Sequence, residues 1–247
     1  MSFTIAAVEQ EIDLEINTEI IDETYQQRRF VFFDIETIPC QDDAYRAVLA
    51  TNIKPPASIK KPESIEKWFE EKGDATVQDA MSKTSFDGGR GHVCTIAWAK
   101  NMGDIQVAHA ENVGEEKSVL QAFFDDLDRY HNETLVGHNI TGFDIGFLRK
   151  RAIVLGVALP PNSCFPRDPK PWEKNVQDTM IMWAGGRGTV SMDNLCGFLG
   201  IEGKDGFDGS MVADAWVNGE HAKIAEYCID DVMKTRLIHR RFMGVQW

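Results

Sequence analysis

The chain is predicted to fold as an α/β protein on a mixed sheet, and three patterns predict it. RFVFF, running into DIET, has the composition of a buried strand. HVCTIAWA and DIQVAHA, parted by Asn101, Met102 and Gly103, read as two strands of a hairpin. Beyond residue 116, amphipathic helical patterns alternate with short strand patterns.

Taken in order, residues 1–28 hold seven acids against the single base Arg28. They are expected to form an acidic leader, either a mobile arm or one that docks on a partner. Ile12, Leu14 and Ile16 alternate like a strand, while Ile12, Ile16 and Ile20 fit a helix equally well. The remainder, residues 29–247, is read as one domain. Within it, residues 41–91 interrupt the pattern like an insertion, with KPPASIKKPES, one helix around residues 65–71, and the turn cluster FDGGRG.

The first three strands are expected to form an antiparallel meander. EEKSVLQAFFDDLDRY then repeats Val119, Leu120, Phe123, Phe124 and Leu127 at helical spacing, with acids in the first turn that suit the helix dipole. ETLVGHN is a short strand. A helix follows through Phe147 and Leu148 to Gly156, and a Pro-rich loop covers residues 159–172. NVQDTMIMWAGG gives a strand with Asp178 capping the next helix. SMDNLCGFLG is a helix from Ser191 as cap to Gly200 as stop. Residues 219–241 form one longer helix. Meander, helix, strand, helix, strand and helices is the order of a ribonuclease H-like fold, a mixed sheet flanked by helices.

Composition narrows the class. A chain of 247 residues with 43% hydrophobic content can bury a substantial core. No run approaches the roughly 18 apolar residues of a membrane span, and no secretory signal order opens the chain, so a cytoplasmic protein without a membrane is expected. Cys40, Cys94, Cys164, Cys196 and Cys228 are odd in number and contain no CxxC pair. This favours buried free thiols over a disulfide framework or a zinc site. A net charge of −13 argues against coating nucleic acid with a broad basic surface, but not against gripping a short end in a cleft. GGRG at 88–91 and again at 185–188 matches no phosphate-loop pattern and reads as turns. Lys54, Lys60 and Lys61 are offset by Glu63, Glu66, Glu70 and Glu71, so that segment is not a basic patch.

The chemistry sits on a few acids and one tyrosine. Strand periodicity turns Asp34 and Glu36 to one face, and helical periodicity does the same for Tyr227 and Asp231, four apart. An unpaired carboxylate at the end of a hydrophobic strand costs several kcal/mol, for which a cation is the natural compensation. Asp34, Glu36 and Asp231 together would make an oxygen shell suited to Mg²⁺ or Mn²⁺. Such ions on carboxylates point to phosphoryl chemistry, in which two of them roughly 4 Å apart serve the attacking and leaving oxygens. Asp34 is the best candidate to bridge them, and Tyr227 could aim the attacking water.

These motifs resemble the DEDD superfamily of 3′-5′ exonucleases in its tyrosine branch. FDIET matches the first exonuclease motif, Asn139-x3-Phe143-Asp144 the second, and Tyr227-x3-Asp231 the third. The histidine branch would place a His where Glu226 stands. The second motif and SMDNLCGFLGIEGKDGFDGSMV look most like the proofreading domains of family-B DNA polymerases and small stand-alone exonucleases related to them. The resemblance implies that Asp34, Glu36 and Asp231 hold one divalent cation, and that Asp34 and Asp144 hold a second. It also implies that Thr37, Asn139 and Phe143 contact single-stranded substrate. Structural roles are open for these last three: a strand end for Thr37, a turn for Asn139 and core packing for Phe143. His138 reads as a structural neighbour of the site, not a ligand, and Trp172 as a candidate for base stacking.

The expectation is a metal-dependent exonuclease that removes nucleoside monophosphates from the 3′ end of a single strand, with DNA preferred over RNA. With no polymerase domain beside it, any proofreading would be in trans, with a polymerase or repair partner. An exoribonuclease related to RNase D is the nearest alternative. A non-catalytic module that binds nucleic-acid ends is the alternative from another class. The pattern says nothing of oligomeric state.

Overall fold

The computed structural model describes residue 25 and residues 27–130, 133–160, 165–167, 169–170, 173–203 and 206–245. The leader up to residue 24, Cys164 and Trp172 lie outside these residues. At the centre is β1 (Phe30–Ile38). Antiparallel β2 (His92–Lys100) pairs with it on one side and β3 (Gln106–His109) pairs antiparallel with β2. On the other side β4 (Thr134–Gly137) runs parallel to β1, and β5 (Val176–Asp178) parallel to β4. The order is β3-β2-β1-β4-β5.

Connection chemistry accounts for this order. The β2–β3 link needs only a tight turn, closed by the Gly103 N–H donating to the Lys100 carbonyl (2.9 Å), with Asn101 at φ 49°. Asparagine is one of the few side chains that tolerate that left-handed backbone. Parallel neighbours need crossovers. Helix α4 (Glu116–Asp128) lies between β3 and β4, and α5 (Asp144–Leu155) between β4 and β5. Gly156 stops α5 at φ 64°, and Gly200 stops a later helix at φ 65°.

The two faces of β1 bury different cores. Val31, Phe33 and Ile35 pack with Phe123 and Phe124 of α4 and Leu148 of α5. Phe30 and Phe32 pack on the other face with Val136, Cys228 and Val232, the last two from the C-terminal helix His221–Phe242. That helix is clamped at its far end by His239. Its Nε2 donates to Gln177 Oε1 (2.6 Å), its Nδ1 accepts from the Tyr25 hydroxyl (2.8 Å), and its ring stands edge-on to Phe30 and Phe32. Burial pushes the His239 imidazole down to about 4, so it stays neutral there.

The segment between β1 and β2 corrects the sequence reading, which anticipated one helix near residues 65–71. Three are present: α1 (Asp43–Asn52), α2 (Pro62–Trp68) and α3 (Asp74–Ser82), with a π-helical turn over Phe69–Gly73. Neither α1 nor α2 buries a residue fully, so no apolar stripe marked them. Local chemistry starts them instead: Asp42 accepts from the Ala44 N–H, and Pro62 opens α2. Three further α-helices are present among the described residues, α6 (Thr179–Ala184), α7 (Met192–Leu199) and α8 (Val212–Val217), before the C-terminal helix, α9. Cys40, Cys94, Cys196 and Cys228 are buried. No helix among the described residues is long and apolar enough to cross a membrane.

Candidate active site

The face of β1 that carries Phe30 and Phe32 continues, by strand alternation, to Asp34 and Glu36. The same face is covered by α9, which packs through Cys228 and Val232 and brings Asp231 over the acids. Asp34, Glu36 and Asp231 each offer a carboxylate oxygen, and these oxygens lie within 4.8 Å of one another. The Tyr227 hydroxyl, one helical turn earlier, hydrogen-bonds Asp231, and its ring meets Phe207 edge-on at 5.0 Å.

Asp144 arrives from the opposite edge. Pairing of β1 with β4 covers only Phe30–Phe32, so further along β1 the N–H groups on that edge are released from the ladder. Asp144, the first residue of α5, takes the Ile35 N–H and is itself buried. It stands outside the 4.8 Å trio but close enough for its charge to act on Asp34.

The loop that delivers Asp144 is held by a residue that the sequence marked only as a helix cap. The buried carboxylate of Asp178 accepts from the Asn139 N–H (2.8 Å), from the Thr141 N–H (3.0 Å) and hydroxyl (2.7 Å), and from the Met180 N–H (3.1 Å). Asn139 sits at φ 63°, and its carbonyl accepts from Gly142 and Phe143 to close the turn before α5. His138 spans Thr179 Oγ1 and the Val190 carbonyl, both at 3.0 Å, fastening the same loop to α6 and to the lead-in of α7.

The site is electrostatically strained as a set of bare acids. Burial first, then the carboxylates of Asp231, Asp144 and Glu36, raise Asp34 well above the usual range. Its carboxylate accepts only a long contact from the Cys228 thiol (3.5 Å), a weak donor. Burial, with Asp178 and Asp231 nearby, pushes Asp144 up to about 7. Burial and the acids Asp231, Glu36 and Asp34 raise the Tyr227 phenol, so it keeps its proton at neutral pH. Hard oxygen donors crowded together, with Asp34 and Asp144 both shifted toward the neutral form, fit a divalent cation, whose charge would push both carboxyls back down.

Asp144 makes the stability of the metal-free protein depend on pH. Its folded-state value lies near 7, above the roughly 4 of an unfolded aspartate, so ionising it disfavours the fold. That cost is nil below about pH 4 and grows as the pH rises through 7. In protein freed of divalent ions, Asp144→Asn is expected to match the natural chain at pH 4. It should exceed it at pH 8 by at most on the order of 4 kcal/mol, read from urea midpoints. A difference that does not change with pH contradicts this account.

Of the residues tied to substrate by resemblance, Thr37 spends its hydroxyl within the protein, donating to the Ser85 carbonyl at 2.8 Å. A bulge explains its direction: Glu36 pairs with Thr95 but Thr37 with Val93, leaving Cys94 extra on β2. Phe143 is half-buried, packed on Phe147 at 5.3 Å with Phe86 edge-on at 6.2 Å. The sequence reading missed Cys228, although its place three residues before Asp231 puts it on the same helical face. Arg90 lies over the Tyr45 ring at 4.2 Å, consistent with a structural turn in the first GGRG.

A five-stranded sheet in this order, with helices on both faces, defines the chain as α/β and ribonuclease H-like. A family model described as a predicted 3′-5′ exonuclease related to the exonuclease domain of PolB matches residues 90–246, more than half of the chain, and the chain belongs to that family. The matched span holds Asn139, Phe143, Asp144, Tyr227 and Asp231 and begins after Asp34, Glu36 and Thr37. Among solved structures, the family B DNA polymerase from the hyperthermophilic archaeon Pyrobaculum calidifontis aligns with a TM-score of 0.54 at 19% identity. The alignment covers 87% of this chain and 24% of the polymerase, a likeness of fold. No curated protein sequence matches the chain.

Proposed function

We propose that this protein is a metal-dependent 3′-5′ exonuclease that releases nucleoside monophosphates from the 3′ end of single-stranded DNA. The observation that carries the reading is the convergence of Asp34 and Glu36 from β1 with Asp231 from α9, their oxygens within 4.8 Å. Asp34, Glu36 and Asp231 would hold one divalent cation, Mg²⁺ or Mn²⁺, and Asp34 with Asp144 a second. Such ions supply positive charge at the attacking and leaving oxygens of an in-line displacement at phosphorus. The protonated Tyr227 hydroxyl, oriented by Asp231, aligns the attacking water. Water adds to the terminal phosphorus and gives up one proton to solvent, the bond to the preceding 3′ oxygen breaks, and that oxygen leaves with a proton from solvent. The preference for DNA rests on the family's relation to a DNA polymerase domain. A polymerase or repair protein is the partner in trans that such an activity would serve.

The test is shortening of 5′-labelled single strands of DNA and RNA in Mg²⁺ or Mn²⁺. Ladders retreating from the 3′ end, faster on DNA, are expected, and Tyr227→Phe should lower kcat roughly 10²-fold with KM little changed. Absence of metal-dependent ladders overturns the reading, and faster loss of RNA replaces it with an exoribonuclease.

A further inference from the structure

The segment that joins β1 to β2 presents an aromatic ring that lies outside the three exonuclease motifs. Phe86 closes the 3₁₀ turn Lys83–Phe86 and is 74% exposed. The turn beneath it is pinned. Thr84 Oγ1 accepts from the Cys40 N–H (2.7 Å) and donates to the Met81 carbonyl (2.6 Å), and Thr37 on β1 donates to the Ser85 carbonyl (2.8 Å). Behind it, a Cβ on Gly91 would stand 2.4 Å from the Thr84 carbonyl oxygen, and one on Gly88 2.9 Å from the Phe147 carbonyl oxygen. Both positions therefore exclude side chains, and the turn lies flush against β1 and α5. The exposed ring therefore stands on a backbone that these contacts fix in place.

Its place is defined by two neighbours. Thr37, which fastens the turn, directly follows Glu36 on β1. Phe143, which directly precedes Asp144, meets the Phe86 ring edge-on at 6.2 Å and 62°. The two rings form a corner at the border of the acid site, with Phe143 backed by Phe147 and one face of Phe86 open. With a net charge of −13, the chain has little coulombic hold on a polyanion. An uncharged stacking surface is the kind of contact by which such a protein can seize a nucleic-acid end, since every base has a π face.

We propose that Phe86 is a substrate-positioning residue whose open face stacks on the 3′-terminal base, with Phe143 as the side wall. The proposal rests on the exonuclease reading above and adds a contact outside the three motifs. It also gives the β1–β2 segment a role in binding the substrate end.

The experiment compares the full chain, Phe86→Ala and Phe86→Trp on single-stranded DNA ending in an ordinary nucleotide or in a 3′-terminal abasic residue. Phe86→Ala is expected to raise KM roughly 5- to 150-fold on the ordinary end, the range of one lost base stack, with kcat changed less. On the abasic end it should match the natural chain, and Phe86→Trp should restore KM. In parallel, 2-aminopurine at the 3′ terminus, mixed with metal-free protein, should be quenched by the natural chain and not by Phe86→Ala. Equal KM values on the ordinary end, or equal losses on both ends, overturn the platform. Should the natural chain degrade nothing, the exonuclease reading fails by itself. Quenching that depends on Phe86 would then still support the platform, and its absence would overturn that too.

Discussion

Asp34→Asn is expected to do two opposite things: lower kcat/KM for single-stranded DNA by roughly 10²- to 10³-fold or more, and raise the unfolding temperature of metal-free protein. The activity loss takes its scale from removal of one charge-stabilising group at a reacting centre. Asp34 would serve as a ligand to both proposed cations, so its loss would weaken both. The stability gain follows from the same location. Asp34 is desolvated and faces the carboxylates of Asp231, Asp144 and Glu36, which raises it well above an ordinary aspartate. A carboxyl whose folded value is raised costs the fold nothing when protonated and destabilises it as pH rises above the unfolded value. Asparagine keeps the shape without the charge. Thermal melts in EDTA at neutral pH, beside exonuclease assays in Mg²⁺, give both readings. A variant as active as the natural chain removes Asp34 from the site, and a less stable one removes the account of charge strain.

Glu116→Ala is expected to cost about 3–5 kcal/mol of stability. Glu116 opens α4, and the sequence reading took its charge as a favourable partner of the helix dipole. It is also 1% exposed, and both its oxygens are engaged. Arg151 Nε and Nη2 donate to them at 2.7 Å each, the Val93 N–H at 2.8 Å, and His92 Nδ1 lies 2.9 Å away. Burial alone would raise this carboxyl, yet the bonds from His92, Arg151 and Val93 hold it below the usual glutamate range. Truncation leaves the buried Arg151 guanidinium uncompensated. Urea or thermal unfolding measures the loss, and a cost below about 1 kcal/mol would contradict it. Replacing both Glu116 and Arg151 with apolar residues of similar volume should recover most of it. Because the folded value is depressed, this stabilisation is present above the unfolded value and disappears as pH falls through the folded one. Arg151 lies seven residues after Asp144 on α5, so the pair also fixes the helix that delivers that acid.

What was readable from the sequence was whatever depends on near neighbours in the chain. Val119, Leu120, Phe123, Phe124 and Leu127 announced α4 because a single buried stripe enforces helical spacing. Gly156, Ser191 and Gly200 announced helix ends through backbone chemistry that is complete within a few residues. By contrast, α1 and α2 left no pattern because nothing in them is fully buried, and the ion pair of Glu116 left none because Arg151 lies 35 positions away.

The site divides along the same line. Strand alternation alone placed Asp34 and Glu36 on one side of β1, and helical spacing alone placed Tyr227 and Asp231 on one side of α9. Only the folded chain decided that these two sides face each other, because apolar packing of Phe32 against Cys228 and Val232 sets α9 over that face. Only the early end of the β1–β4 ladder decided that an Ile35 N–H was left for Asp144 to take. Only the bulge opposite Glu36 and Thr37 decided that Thr37 would bind the Ser85 carbonyl and fasten the turn that carries Phe86. Periodicity is a property of the local backbone and is written in consecutive residues. A contact between distant segments depends on which surfaces the core brings together, and no single stretch of the chain carries that information.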